Sequence, residues 1–237
     1  MINSQIVQII STHAYYAQYQ PIIDVKSGDI YAYEALARFS LDGINLPPNE
    51  TFALCHEDND TLFLLESMVK KFQLKHRPKD QKLFINLDPD SFINPDYKKF
   101  WVELFSKERN IVVEIIENSD DENIEDIESF ISFLNQEHIT YALDDFFQDN
   151  ALFSSALFLN APIVKLDKVF FTRIRQAPHY KEFLRGIINF CRLSDKIVIL
   201  EGVETKEELL LAQELNIPYV QGFLFKEQFI TAAMQPY

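Results

Sequence analysis

Positive charge, cysteine and glycine are all scarce in this chain of 237 residues, and each scarcity excludes a class of function. Lys and Arg total 22 against 36 Asp and Glu, a formal net charge of -14. That balance argues against binding a nucleic acid polymer or an anionic membrane surface, because both would be repelled. A small nucleotide ligand stays open, since bound divalent cations reverse a local field. Two cysteines, Cys55 and Cys191, are too few for a disulfide framework or a cysteine-ligated zinc, and they read as buried free thiols. Five scattered glycines leave no Walker-type loop and no G-x-G-x-x-G. His13, His56, His76, His138 and His179 form no HExxH or HD pairing, which argues against a histidine-based metal centre. Apolar runs such as Ile197–Leu200 are only a few residues long, far short of a membrane span. The N-terminus lacks the basic, apolar and small-residue order of a signal peptide, so a cytoplasmic location is expected. No Pro/Gly/Ser-rich linker, internal repeat or low-complexity tract divides the chain, and residues 1–237 are read as a single domain.

What is present is a core. Hydrophobic residues make up 47% of the chain, with 21 Phe and ten Tyr, a composition for packing rather than disorder. Residues 1–15 read as a short leading helix, from apolar positions at helical spacing over 4–15. Two strand-like runs follow, Tyr16–Val25 and Ile30–Phe39, joined by the turn Lys26-Ser27-Gly28-Asp29 into an antiparallel hairpin. Residues 50–76 read as helix in two pieces around Asp58-Asn59-Asp60, with Leu64, Leu65, Met68 and Val69 facing inward.

Thereafter short β-branched or aromatic runs alternate with amphipathic segments of about 12 to 18 residues, the rhythm of βα units. The expected strands are Leu83–Leu87, Ile111–Ile116, Thr140–Asp144, Ile163–Leu166, Lys196–Leu200 and Tyr219–Leu224. Helices between them include Asn123–Gln136, Tyr180–Cys191 and Lys206–Leu215. With the hairpin this makes an α/β fold of eight mostly parallel strands, best fitted by a modified (β/α)8 TIM-like barrel with an antiparallel N-terminal hairpin. A doubly wound open sheet is the competing arrangement.

The polar residues where each apolar run stops carry the chemistry. They are Glu34, Asn86, Glu114 with Glu117, the pair Asp144-Asp145, Lys165 with Asp167, Glu201, and Gln221 before Gly222. In a (β/α) barrel the strand C-termini line one mouth, where active sites sit. Five or six carboxylates converging there repel one another, which makes physical sense when cations occupy the cluster. Hard oxygen ligands select Mg2+ or Mn2+ over zinc. Adjacent aspartates suit two metals about 3.5–4 Å apart, as in phosphoester hydrolysis. Lys165 would add a fixed positive charge beside water or phosphate. Taken singly each residue has an ordinary explanation: a helix N-cap for Asp144-Asp145, a surface carboxylate for Glu34, a snorkelling lysine for Lys165, a turn for Asn86. Seven in succession do not.

These residues fall in segments that match a known pattern. Tyr19-Gln20-Pro21-Ile22, Glu34-Ala35-Leu36-Ala37-Arg38, Phe84-Ile85-Asn86-Leu87 and Glu114-Ile115-Ile116-Glu117 come first. Ala142-Leu143-Asp144-Asp145-Phe146, Val164-Lys165-Leu166-Asp167, Glu201-Gly202-Val203-Glu204 and Gln221-Gly222-Phe223 follow in order. From about Tyr19 to Phe225 the chain resembles the EAL-domain family of cyclic di-GMP phosphodiesterases. The resemblance implies a modified barrel that hydrolyses cyclic di-GMP to linear pGpG with two Mg2+ or Mn2+ ions. By matched position it implies Glu34, Asn86, Glu114, Asp144 and Asp145 as metal ligands, and Glu201, Lys165 and Gln221 as catalytic residues. It likewise implies Gln20, Leu36, Arg38, Asp167 and Glu204 as dinucleotide contacts and Glu117 as anchor of the loop after Asp145. Homodimers are frequent in the family and are expected as a possibility here.

Two departures stand out. The family follows its Asp pair with Phe-Gly-Thr-Gly-Tyr-Ser-Ser, whereas this chain reads Phe146-Phe147-Gln148-Asp149-Asn150-Ala151-Leu152 without a gap. Glycine adopts positive φ freely and Phe147 does not, so the loop is expected to take a different path. The usual Thr of Glu-x-Thr-Glu is Ile116. These departures motivate an alternative reading, a noncatalytic cyclic di-GMP receptor or protein-interaction module.

Overall fold

A computed structural model describes residues 3–92, 94–108, 110–116, 124–147 and 154–233. It opens on helix α1 (Ser4–Thr12), started by Asn3, whose side chain accepts from Gln5 N at 2.9 Å. Strands β1 (Tyr15–Asp24) and β2 (Ile30–Leu41) then form the hairpin. Asp24 Oδ1 accepts from the backbone N–H groups of Lys26 and Ser27 at 2.8 and 3.0 Å, and Gly28 supplies the positive φ (78°) that the turn needs. A short β3 (Ile44–Leu46) extends the hairpin. Helices α2 (Pro48–Ala53) and α3 (Asn59–His76) follow as two pieces, the second capped by Asp58.

The βα rhythm then runs through β4 (Lys82–Asn86), α4 (Pro95–Phe105), β5 (Ile111–Ile116), α5 (Ile124–Gln136) and β6 (Thr140–Phe146). It continues through α6 (Ser155–Asn160), β7 (Ile163–Leu166), α7 (Val169–Gln176), α8 (Tyr180–Leu193), β8 (Ile197–Leu200), α9 (Lys206–Glu214) and β9 (Tyr219–Gln221). A last strand, β10 (Ile230–Ala232), pairs with the start of β1. β2, β4, β5, β6, β7, β8 and β9 pair in parallel in that order, and β1 closes the ring by antiparallel pairing with both β2 and β9. The result is a closed eight-stranded barrel, not an open sheet. Among the described residues no helix is long and apolar enough to cross a membrane.

Two sequence expectations are corrected. Leu64 is exposed, because the buried face of α3 runs through Leu62, Leu65, Val69 and Phe72, and Leu64 projects about a third of a turn from it. The last barrel strand ends at Gln221 rather than Leu224, since Gly222 turns the chain into a 3-10 helix over Phe223–Gln228.

Alternation along the strands divides the interior into storeys. Ile22, Ala32, Phe84, Val112, Ala142, Ile163 and Ile199 form one buried cluster inside the barrel, with Tyr219 packed against it. Residues pointing outward, such as Ile85, Val113, Leu143, Val164 and Val220, join the larger core between strands and helices. Side chains repeat a face every second residue. Two residues toward the mouth from Ala32, Phe84, Val112, Ala142, Ile163, Ile199 and Tyr219 stand Glu34, Asn86, Glu114, Asp144, Lys165, Glu201 and Gln221. β1 runs the other way, so Gln20, paired with Glu34, sits above Ile22. The polar storey therefore rests on an apolar floor. Phe84→Ala, which empties the largest fully buried side chain of that floor, is expected to cost about 3–5 kcal/mol in denaturant unfolding.

Candidate active site

Lys165, fully buried, stands at the centre of the polar storey. Its Nζ lies 2.5 Å from Glu114 Oε1, 2.8 Å from Asp144 Oδ1, 2.9 Å from Glu201 Oε1 and 3.6 Å from Glu34 Oε2. Asn86 Nδ2 donates to Glu34 Oε1 (3.0 Å) and Glu114 Oε2 (3.1 Å). Gln221 Nε2 donates to Glu34 Oε2. β4, β5, β6, β7, β8 and β9 thus each contribute one member at or just past their C-terminal ends, whereas Glu34 lies within β2, near the end of its parallel pairing with β4.

β6 contributes a second. Two neighbours on a regular strand face opposite ways, so Asp144 and Asp145 would not share a site. Here Leu143 pairs with Val164 and Phe146 with Leu166, which leaves one extra residue on β6. That bulge, with Asp145 at φ 52°, brings both carboxylates to the mouth. Phe147 follows at φ 68°. Phe147 itself adopts the left-handed conformation that its side chain disfavours, against roughly 1–2 kcal/mol of steric cost, while the expected path of the loop beyond it lies outside the described residues. Its ring packs at 4.3 Å from that of Phe146, 5.5 Å from Phe170 and 5.7 Å from Phe183, contacts that offset the strain. Glu117 and residues 148–153 lie outside the described residues.

Burial and mutual repulsion set the protonation of the cluster. Burial would lower the Lys165 ammonium pKa, but Asp144, Glu114, Glu201 and Glu34 outweigh it and hold it well above the ordinary lysine value. Burial, with Glu34 adding, pushes Glu114 well above the carboxylate range. Burial likewise raises Glu201, against Lys165 and with Asp144 and Glu34 adding. Asp144 is raised by burial, and Asp145 by burial and then Asp144, to about 6. Glu34 alone goes down: burial opposes this, but Lys165 and the hydrogen bonds from Gln221 and Asn86 prevail.

The same oxygens suit divalent cations. Glu34, Glu114 and Asp144 bring ligand atoms within 4.8 Å of one another, and so do Asp144, Asp145 and Glu201. Asp144 belongs to both groups. Every donor is oxygen, which fits a hard cation. Asn86 turns its NH2 toward the carboxylates, so its expected role as a ligand requires the amide to turn over and present its oxygen.

Beside the cluster lies a cleft of about 210 Å3 lined by Gln20, Glu34, Leu36, Asp167, Glu201, Glu204 and Gln221. Four of the five expected dinucleotide contacts thus meet there. Arg38 is not among its lining residues: it sits farther along β2, where Nη2 donates to Gln18 Oε1 and Nη1 to Ala37 O, both at 2.9 Å. Asp167 also has a structural task, accepting from Val169 N at 2.7 Å where α7 starts. Sequence reading missed Lys168 and Phe223 on the cleft wall. Phe223 is 62% exposed, an aromatic directly after a polar strand end, and that was its available signal. Gly222 makes this wall possible, since a Cβ there would lie 2.1 Å from Val203 O.

A closed, mostly parallel barrel with a cluster of carboxylates at its C-terminal mouth defines a (β/α) barrel domain with a candidate metal site. The EAL-domain family profile matches residues 4–228, and the chain belongs to that family. Escherichia coli "Cyclic di-GMP phosphodiesterase PdeL" is 23% identical over 228 residues, covering 91% of this chain and 63% of PdeL. The chain thus spans less than two thirds of that relative's length. The FimX EAL domain of Pseudomonas aeruginosa, solved bound to c-di-GMP, superposes with a TM-score of 0.77 at 22% identity, covering 94% of each chain. Bacillus subtilis YkuI, solved in complex with substrate c-di-GMP and calcium, gives 0.79 at 17% identity, covering 100% of this chain and 60% of YkuI. At these identities the two structures speak to the fold.

Lys165→Met leaves buried carboxylates without their cation. The metal-free variant is expected to lose about 3–5 kcal/mol in unfolding experiments, with Mn2+ restoring part of the loss. A carboxyl raised on folding stabilises fully below its unfolded pKa, and that stability is lost as pH rises through its folded value. For Asp145 the window runs from about 3.8 to about 6. Mn2+ must displace such protons. Its apparent affinity is therefore expected to increase as pH rises through about 6, with proton release read by calorimetry in buffers of different ionisation enthalpy.

Proposed function

We propose that this chain hydrolyses cyclic di-GMP to linear pGpG at the barrel mouth, with Mg2+ or Mn2+ at two positions. The observation that carries the reading is the pair of oxygen groups sharing Asp144, set beside the cleft. Family membership and phosphodiesterase relatives supply the substrate class. Once ionised, the five carboxyl groups of the cluster outweigh the one ammonium of Lys165 and would repel a cyclic dinucleotide's two phosphates. Divalent cations held by these carboxylates would reverse that field and supply the Lewis acidity that activates a water.

In this reading Glu34, Asn86, Glu114, Asp144 and Asp145 hold the cations. Glu201 accepts the proton of the attacking water, and Lys165 stabilises charge developing on the phosphoryl oxygens. One P–O bond forms, the bond to the 3′ oxygen breaks, and the product is linear. Gln221 fixes Glu34 by its hydrogen bond. Gln20, Leu36, Asp167 and Glu204 position the dinucleotide along the cleft. Arg38 reaches a phosphate only by leaving Gln18, and its planar fork suits a bidentate contact.

Purified protein incubated with cyclic di-GMP and Mn2+ or Mg2+ is expected to yield pGpG, with Glu34→Ala as the inactive control. Binding without product would replace this reading with the receptor one. Lys165→Ala is expected to lower kcat by a larger factor than it weakens binding, and equal turnover in that variant removes Lys165 from the mechanism.

A further inference from the structure

Phe147 holds an uncommon position for a bulky side chain. Its backbone is left-handed at φ 68°, two residues after Asp145 at φ 52°. Left-handed conformations at large residues persist only where the surroundings enforce them. Here the surroundings include three rings of described residues in edge-on contact. Phe146 belongs to β6 itself, at 65° and 4.3 Å; Phe170, fully buried in α7, lies at 78° and 5.5 Å; Phe183 in α8 lies at 75° and 5.7 Å. The backbone is tied on the same side, since Asp167 N donates to Phe146 O at 3.3 Å. The bulge that turns Asp145 toward Asp144 thus sits between a ladder bond to β7 and a phenyl ring wedged against two helices.

We infer that Phe147 is a positioning residue: its ring, pinned by α7 and α8, holds the left-handed turn that keeps Asp145 beside Asp144 and Glu201. It touches neither cation nor substrate and acts through Asp145. A glycine at this place would adopt the same φ at no steric cost, but the ring contacts to α7 and α8 that hold the turn would be lost. The ring replaces freedom with a fixed geometry. The inference rests on the cation-binding reading above.

Manganese binding, followed by the EPR signal of free Mn2+ without any substrate, separates these possibilities. Phe147→Gly is expected to raise the Mn2+ Kd about 10–100-fold, the range for losing a group that orients a ligand, with far-UV circular dichroism unchanged. Phe147→Tyr, which keeps the ring, is expected to bind as the wild type does. Phe183→Ala removes one wall of the pocket from a helix surface where that residue is 47% exposed, so the fold survives, and a smaller rise in Kd is expected. Unchanged Mn2+ affinity in Phe147→Gly overturns the inference, because the backbone angle alone would then suffice. Should that variant not fold, unchanged affinity in Phe183→Ala overturns it instead. A wild type that binds no Mn2+ overturns the cation reading and this inference together.

Discussion

Lys165 Nζ lies between 2.5 and 2.9 Å from the carboxylates of Glu114, Asp144 and Glu201, with Glu34 just beyond, and no water-accessible surface is left on the lysine. At an effective dielectric near 20, each like-charged pair about 4 Å apart costs roughly 4 kcal/mol. One ammonium therefore cannot compensate four carboxylates. Protons make up the difference, which is why Glu114 and Glu201 are held well above the carboxylate range. Divalent cations would do the same and release those protons. The mouth holds more carboxylates than its one lysine can offset, and that imbalance is what the proposed cations would relieve.

The barrel supplies the geometry for this arrangement with little machinery. Seven strands reach the mouth in step, and each places its polar residue two positions above an apolar one. Hydrophobic burial fixes the floor, pairing fixes the register, and the polar storey has no freedom left to choose where it points. β6 is where this regularity is broken, by a bulge that buys a second carboxylate for the site. The break is held from outside the barrel, by rings on α7 and α8 that surround Phe147. Packing on the outer face is in this way coupled to the electrostatics of the inner one.

Much of this was legible in the residues. Strand and helix periodicity placed the hairpin and the βα units, because a half-buried surface imposes its period on the sequence. The succession of polar residues at strand ends marked the mouth, since an unpaired charge is not otherwise left beside an apolar run. Short elements were less legible. β3 and β10 are only three residues each, and what makes them strands is a partner distant in sequence, Phe39–Leu41 for one and Ala17–Tyr19 for the other. Leu64 misled because α3 offers more apolar residues than one face can bury.

By itself the sequence determined the alternation, the order of the elements and the identity of the seven polar strand ends, all of which are local or periodic properties. Only the tertiary structure decided that Lys165 sits among four carboxylates, that Asn86 presents its NH2 rather than its oxygen, and that Arg38 engages Gln18 outside the cleft. It also decided that Phe147 keeps a glycine-like backbone. The physical reason is common to all four: each depends on which groups from distant segments compete for the same few ångströms, and a linear pattern does not record that competition.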